Sequence, residues 1–173
     1  LGVRYSGMGG TRYSLAVNGN VNGDFVNSND LAFIFDPNNT NNSAAIREGI
    51  QGILDNPDAD KRFKDYLNGH LGQIAERNGI SNGFYGVWDI RASKKFNLFQ
   101  THAIEVSADI FNFANLLNKE WGVDHSLSKQ NLTTIKSFDQ ARGEYVYQVN
   151  PNAGIKGYSG NPYQIQLGLR YSF

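Results

Sequence analysis

The sequence predicts an all-β chain with a helical loop insertion, its four antiparallel strands forming the last part of a large transmembrane β-barrel. Three observations carry that prediction. Apolar residues recur at every second position in four separate stretches, the period of a strand with one apolar and one polar face. One short connection contrasts with two very long ones, 18–83 and 118–161, a pattern common in transmembrane barrels and rare in soluble domains. No apolar run approaches the ~18 residues of a membrane helix. A barrel strand crosses with about ten residues, only alternate ones apolar, so a mean hydropathy of −0.46 is compatible with a barrel.

The first strand lies near 1–17. Leu1, Val3 and Tyr5 alternate with Gly2, Arg4 and Ser6, and the pattern resumes at Tyr13, Leu15 and Val17 after Gly7-Met8-Gly9-Gly10. The glycines predict a bulge or bend. The second strand, 84–96, sets Trp88, Ile90, Ala92, Lys94 and Phe96 against Asp89, Arg91, Ser93 and Lys95. The third, 102–114, sets Ile104, Val106, Ala108 and Ile110 against Ala103, Glu105, Ser107 and Asp109. A turn over 97–101, centred near Phe99, pairs Trp88 with Ile110, Ile90 with Ala108 and Ala92 with Val106. A one-residue slip would destroy that match of apolar faces. Lys94 on the apolar face lies near the turn, where it reaches the interface by snorkelling.

The last strand, 162–173, is the clearest. Tyr163, Ile165, Leu167, Leu169, Tyr171 and Phe173 alternate with Gln164, Gln166, Gly168, Arg170 and Ser172. Its aromatic ends match the girdles of a lipid-facing strand. Trp88, Phe96, Trp121, Tyr163, Tyr171 and Phe173 are therefore the expected membrane-interface aromatics. An edge strand of a soluble sandwich explains the alternation equally well, but not the paired girdles. The opposite face carries Asp89, Arg91, Glu105, Asp109 and Arg170. Such charges are costly in a dry core and comfortable in a wet lumen. They are expected to face the lumen, as a solvated structural ladder before any contact with solute or plug.

Counted back from the last strand, both long segments fall outside the cell and the 97–101 turn falls in the periplasm. The first long segment has helical spacing at Ile46, Ile50, Ile53 and Leu54, then at Phe63, Tyr66, Leu67, Leu71 and Ile74 up to Asn78-Gly79. Asn56-Pro57-Asp58 resembles a cap with proline in the first turn. The second long segment predicts short strands at 133–138 and 144–149.

Asn18, Asn20, Asn22 and Asp24, with Gly23 at the sixth position and Asp30 near the end, approximate the front of a calcium loop. Position twelve is Asn29 where such a loop has Glu, and a plain Asn/Gly turn needs no metal. A calcium ion there is the one ligand the sequence suggests. Sixteen basic and sixteen acidic residues give no net charge, and no feature calls for nucleic acid. There are no cysteines, so disulfides and thiolate sites are excluded. His70, His102 and His125 are far apart, Asp58 and Asp60 fit a helix N-terminus, and no catalytic constellation is present. No enzyme is expected.

Leu1-Gly-Val-Arg-Tyr opens in mid-strand without a signal peptide, and four strands cannot close a barrel. The expectation is a piece of a longer chain. Four stretches then resemble the C-terminal end of TonB-dependent outer-membrane receptors, in the Oar-like branch with a carboxypeptidase-regulatory-like domain. They are Tyr5-Ser-Gly with Thr11-Arg-Tyr-Ser, Asn20-Val-Asn-Gly-Asp24 with Asn29-Asp-Leu31, Asp109-Ile-Phe-Asn-Phe-Ala-Asn-Leu-Leu-Asn118 with Trp121-Gly122, and Gln164 through Phe173. The resemblance implies a barrel of about twenty-two strands in the bacterial outer membrane. It implies passage of a large solute, with partners in outer-membrane lipid, the rest of the barrel and its plug, and TonB; whether the surface loops bind a lipoprotein is left open by the sequence. Neither plug nor TonB box lies in this sequence. A passive porin or a barrel anchor of a surface protein shares every strand feature, and a soluble β-rich binding domain is the third reading.

Overall fold

The computed structural model describes residues 1–157 and 160–173. Its elements in chain order are β1 (Gly2–Met8), β2 (Arg12–Tyr13), β3 (Leu15–Asn18), β4 (Phe33–Ile34), α1 (Ala44–Asp55), α2 (Lys61–Gly69), β5 (Gln73–Ile74), β6 (Ile80–Ser81), β7 (Tyr85–Phe99), β8 (His102–Phe111), α3 (Phe113–Leu117), β9 (Gln130–Asp139), β10 (Glu144–Val149) and β11 (Gln164–Ser172). The chain is mostly β, and it divides into two compact units.

The first unit comprises Leu1–Gly9, Gly83–His125 and Tyr158–Phe173. It is a four-stranded sheet in the order β1-β7-β8-β11, antiparallel throughout. Met8 pairs with Tyr85 and Phe111 with Gln164, so these four strand ends lie at one end of the sheet. Phe99 and His102 pair at the other. The β7–β8 register corrects the expected one by two residues: Ile90 faces Ile110, Ala92 faces Ala108 and Lys94 faces Val106. The turn is therefore centred on Gln100 and Thr101. Gln100 takes a φ of +50°, and a bulge between Asn97 and Phe99 lets both strands run further than 97–101 allows. A two-residue shift preserves the side-chain faces.

β1 is shorter than the expected 1–17 strand. The chain leaves the sheet at Gly9-Gly10, where Gly10 has a φ of +77°. Tyr13, Leu15 and Val17 then enter the dry core of the second unit, none more than 4% exposed.

The second unit comprises Gly10–Asn82 and Ser126–Gly157. Its main sheet has the order β10-β9-β3, and β3 lies parallel to β9. The free side of β3 takes hydrogen bonds from the next segment, with Val17 N–H donating to Asp30 O and Ala32 N–H to Leu15 O. β4 pairs with β5 and β2 with β6. Ile46, Ile50 and Ile53 line the buried side of α1, the i, i+4, i+7 stripe of an amphipathic helix. Ser43 caps α1 by accepting the Ile46 N–H. The cap of α2 is Asp60 rather than Asn56, which instead closes α1. α2 stops at Gly69, so Leu71 and Ile74 lie beyond it. Phe63 and Leu67 join Leu15, Ile34, Ile50, Ile53 and Leu132 in one apolar cluster.

Candidate functional site: a two-faced sheet

Residues directly opposite in an antiparallel ladder share a face. Cross-sheet rows follow from the register: Val3–Ile90–Ile110–Ile165, Ala92–Ala108–Leu167, Lys94–Val106–Leu169 and Phe96–Ile104–Tyr171. Apart from Lys94, and from His102 stacked on Tyr171 at the β7–β8 turn end, this face is apolar from edge to edge. Val3, Tyr5, Trp88, Phe96, Val106, Ile165, Leu167, Leu169 and Tyr171 are each 45–77% exposed. Soluble monomers seldom leave so continuous an apolar surface open to water.

Aromatic residues bound that face at both ends. Tyr5 and Trp88 pack with ring centroids 4.6 Å apart and planes tilted by 42° at one end, where Tyr163 precedes β11. Phe96, Tyr171 and Phe173 lie at the other, with Tyr171 and Phe173 rings 6.1 Å apart. Trp88 to Phe96 and Tyr163 to Tyr171 are the same step along the chain. At roughly 3.3 Å per residue each covers about 26 Å of strand, or about 20 Å of depth at a tilt near 40°. With the rings added this approaches the ~25 Å apolar band of outer-membrane barrels. Trp121, in the turn after α3, is 55% exposed and lines one pocket with Tyr5 and Trp88.

The opposite face carries Asp89, Arg91, Glu105, Asp109 and Arg170 together, joined by Arg4 and Lys95. One row is Lys95–Glu105–Arg170 and another Arg91–Asp109–Gln166. Arg91 Nη1 stands 3.6 Å from Asp109 Oδ1. With the arginine 63% exposed, such a pair contributes little to stability. Arg4 and Lys95 extend the set beyond the expected five, and their odd-even position was the signal that marks them.

Two features had no signal in the alternation. The first is a seat in the girdle. Gly7 and Gly86 are cross-strand partners, and a Cβ on Gly86 would lie 2.6 Å from the Tyr5 ring, one on Gly7 2.7 Å from the Phe84 ring. The glycine pair lets both aromatic rings lie flat on the sheet. The second is a pair of asparagines beside α3. Asn115 Nδ2 donates to Lys119 O and Trp121 O while its Oδ1 accepts the Tyr163 N–H. Asn112 Nδ2 donates to Gly122 O and Asn161 O, and the Asn112 N–H is accepted by Asp89 Oδ1. These bonds tie the 119–122 turn and the start of β11 to β8. They give a physical role to the Asp109–Asn118 stretch.

In the second unit the expected calcium residues share one loop, closed by its own donors. Asp30 Oδ2 accepts the Val21 and Asn22 N–H groups, Asn20 Oδ1 that of Gly23, and Asn22 Oδ1 that of Asp24. Asn18 accepts from Ser28 Oγ. The Asn29 amide, then the Val26 N–H, hold the Asp24 carboxyl below the usual carboxylate range. Among the described residues no group of three or more His, Asp or Glu is arranged to hold a metal.

Asp60 is also engaged. Its carboxylate caps α2 by accepting the Phe63 N–H at 3.1 Å and pairs with Lys156. Burial works to raise its pKa, but the Lys156 bond and charge, with the Phe63 N–H, outweigh it and leave the carboxyl below its usual range. Burial, then the Asp60 charge, pushes the Tyr13 hydroxyl well above its ordinary value.

No helix among the described residues is long and apolar enough to cross a membrane, which bears only on helices. Comparison with family models, curated proteins and solved structures gives no match, so a functional reading rests on the chain's own residues and geometry.

Proposed function

We propose that the chain supplies four strands to a transmembrane β-barrel of the bacterial outer membrane, and that this barrel is a TonB-dependent receptor moving a large solute, of peptide or protein class. The observation that carries the barrel reading is the two-faced sheet. Its apolar face is bounded by aromatic residues at both ends, and its charges, Lys94 apart, lie on the other side. Lipid suits the first face and a wet lumen the second.

Among the described residues β1 and β11 each have a neighbour on one side only. In hydrocarbon every unpaired edge N–H or C=O costs several kcal/mol, so this reading requires partner strands on both edges, supplied by the rest of the barrel. Active transport rests on the resemblance of the four stretches from Tyr5 to Phe173. A passive porin is separated by energy coupling: with TonB removed, solute accumulation through a receptor ceases and passage through a porin continues. The barrel reading itself is tested by partition. Recovery of the chain as a monomer in buffer without detergent would sink it.

A further inference from the structure

The polar face of the four-stranded sheet holds a cavity of about 350 Å³ at the end where Met8, Tyr85, Phe111 and Gln164 lie. Its volume is that of a site for a small molecule or a single side chain. The walls are apolar and aromatic: Met8, Tyr85 and Phe111. The Tyr85 hydroxyl is turned to Met8 Sδ at 3.7 Å. Two carboxylates line the same space, Asp89 and Asp124, and none of its described lining residues is Lys, Arg or His.

The cavity is built, not a gap between loose loops. Asn112, 5% exposed, ties Gly122 and Asn161 across it. Gly122, at a φ of +66°, leaves its Cβ position to Asn112 Oδ1, only 1.9 Å from where that carbon would be. Asp89 is fixed by the Asn112 N–H on Oδ1. Among the described residues Oδ2 has no partner, and Arg4, opposite Asp89 in the ladder, is not within ion-pair distance. A carboxylate oxygen without a partner, set beside aromatic residues, favours an organic cation. The charge meets Asp89, with Asp124 adding negative potential, the aromatic residues attract it further, and the apolar walls take its alkyl part.

We propose that this cavity is a binding site for an alkylammonium or alkylguanidinium group, the chemistry of a basic peptide side chain. That the cavity opens on a transport lumen rests on the barrel reading. The cation selectivity rests on the cavity alone.

The test uses the full chain in neutral maltoside micelles, with n-butylguanidinium as probe and n-butanol and butyrate as its uncharged and anionic counterparts. Amide shifts at Gly122 and Gly160 report occupancy. The expected result is saturable binding of butylguanidinium, at least tenfold tighter than butanol, with no binding of butyrate. Asp89→Asn keeps the acceptor for the Asn112 N–H, and together with Asp124→Asn it weakens the probe at least tenfold. Glu105→Gln, on the same face outside the cavity, leaves binding unchanged. Equal binding of butanol, binding that survives in the double variant, or no saturation overturns the proposal. Quenching of Trp88 by a brominated maltoside, measured in the same sample, reports the barrel reading separately. Quenching without probe binding sinks the site alone, and probe binding without quenching sinks the barrel alone.

Discussion

Replacing Leu167 by Arg puts a charge at the centre of the apolar face. Leu167 lies midway between Tyr163 and Tyr171, about 13 Å of strand from each at roughly 3.3 Å per residue. It is 77% exposed within this chain and stands next to Ala108 in its row. If that face meets water, the substitution removes almost no packing and stays within about 0.5 kcal/mol, as surface changes do. If it meets lipid, an arginine at mid-depth costs about 2–4 kcal/mol, a factor of about 30 to 700 in the folding equilibrium. Gln166→Arg, one residue away on the charged face, is the control and costs little under either view. The assay is reversible denaturant unfolding in phospholipid vesicles, followed by tryptophan fluorescence. Equal stability of the two variants would refute the assignment of faces.

Three further outcomes follow from the geometry. Gly86→Ala drives a methyl group into the Tyr5 ring and is expected to lower stability by about 1–3 kcal/mol, as overpacking does; Gly2→Ala, whose nearest atom is 4.0 Å away, is the control in the same unfolding assay. The lowered Asp60 pKa means that its contribution is complete above the unfolded carboxylate pKa of about 3.9 and is lost as pH falls through the folded value. Asp60→Asn keeps the α2 cap and should flatten the acid limb of stability below about pH 4, whereas Asp60→Ala also loses the cap, about 1 kcal/mol. Calcium titration should leave the amide shifts of residues 18–30 unchanged because loop donors already close that turn; a saturable shift at Asp24 and Asp30, absent with magnesium, would establish the calcium loop.

The two faces of the sheet were legible because period two is local. It survives even a mistaken register, since a shift by two moves no side chain across the sheet. The register was not legible. It depends on a bulge at Asn97 and on a positive φ at Gln100, and neither residue type announces it. Alternation likewise cannot tell an exposed apolar face from a dry core: Val3 and Tyr5 stay exposed while Tyr13, Leu15 and Val17 show the same pattern and are buried. The parallel pairing of β3 with β9 joins Leu15 to Gln130, a separation no local signal spans. Asn56-Pro57 and Asp60 are both acceptable helix starts by local rules. Asp60 is additionally held by Lys156 and by donation of its own N–H to Gly154 O, contacts that exist only after folding. The asparagine clamp on Tyr163 and Asn161 is equally long-range.

The central claim is that one face of β11 meets lipid and the other water. Spin labels placed singly at positions 165 to 170, in the assembled protein in vesicles, measure this directly through collision with oxygen and with a water-soluble nickel chelate. The account predicts oxygen maxima at 165, 167 and 169 and nickel maxima at 166, 168 and 170, out of phase along the strand. Both reagents peaking at the same positions, or neither alternating, would contradict it.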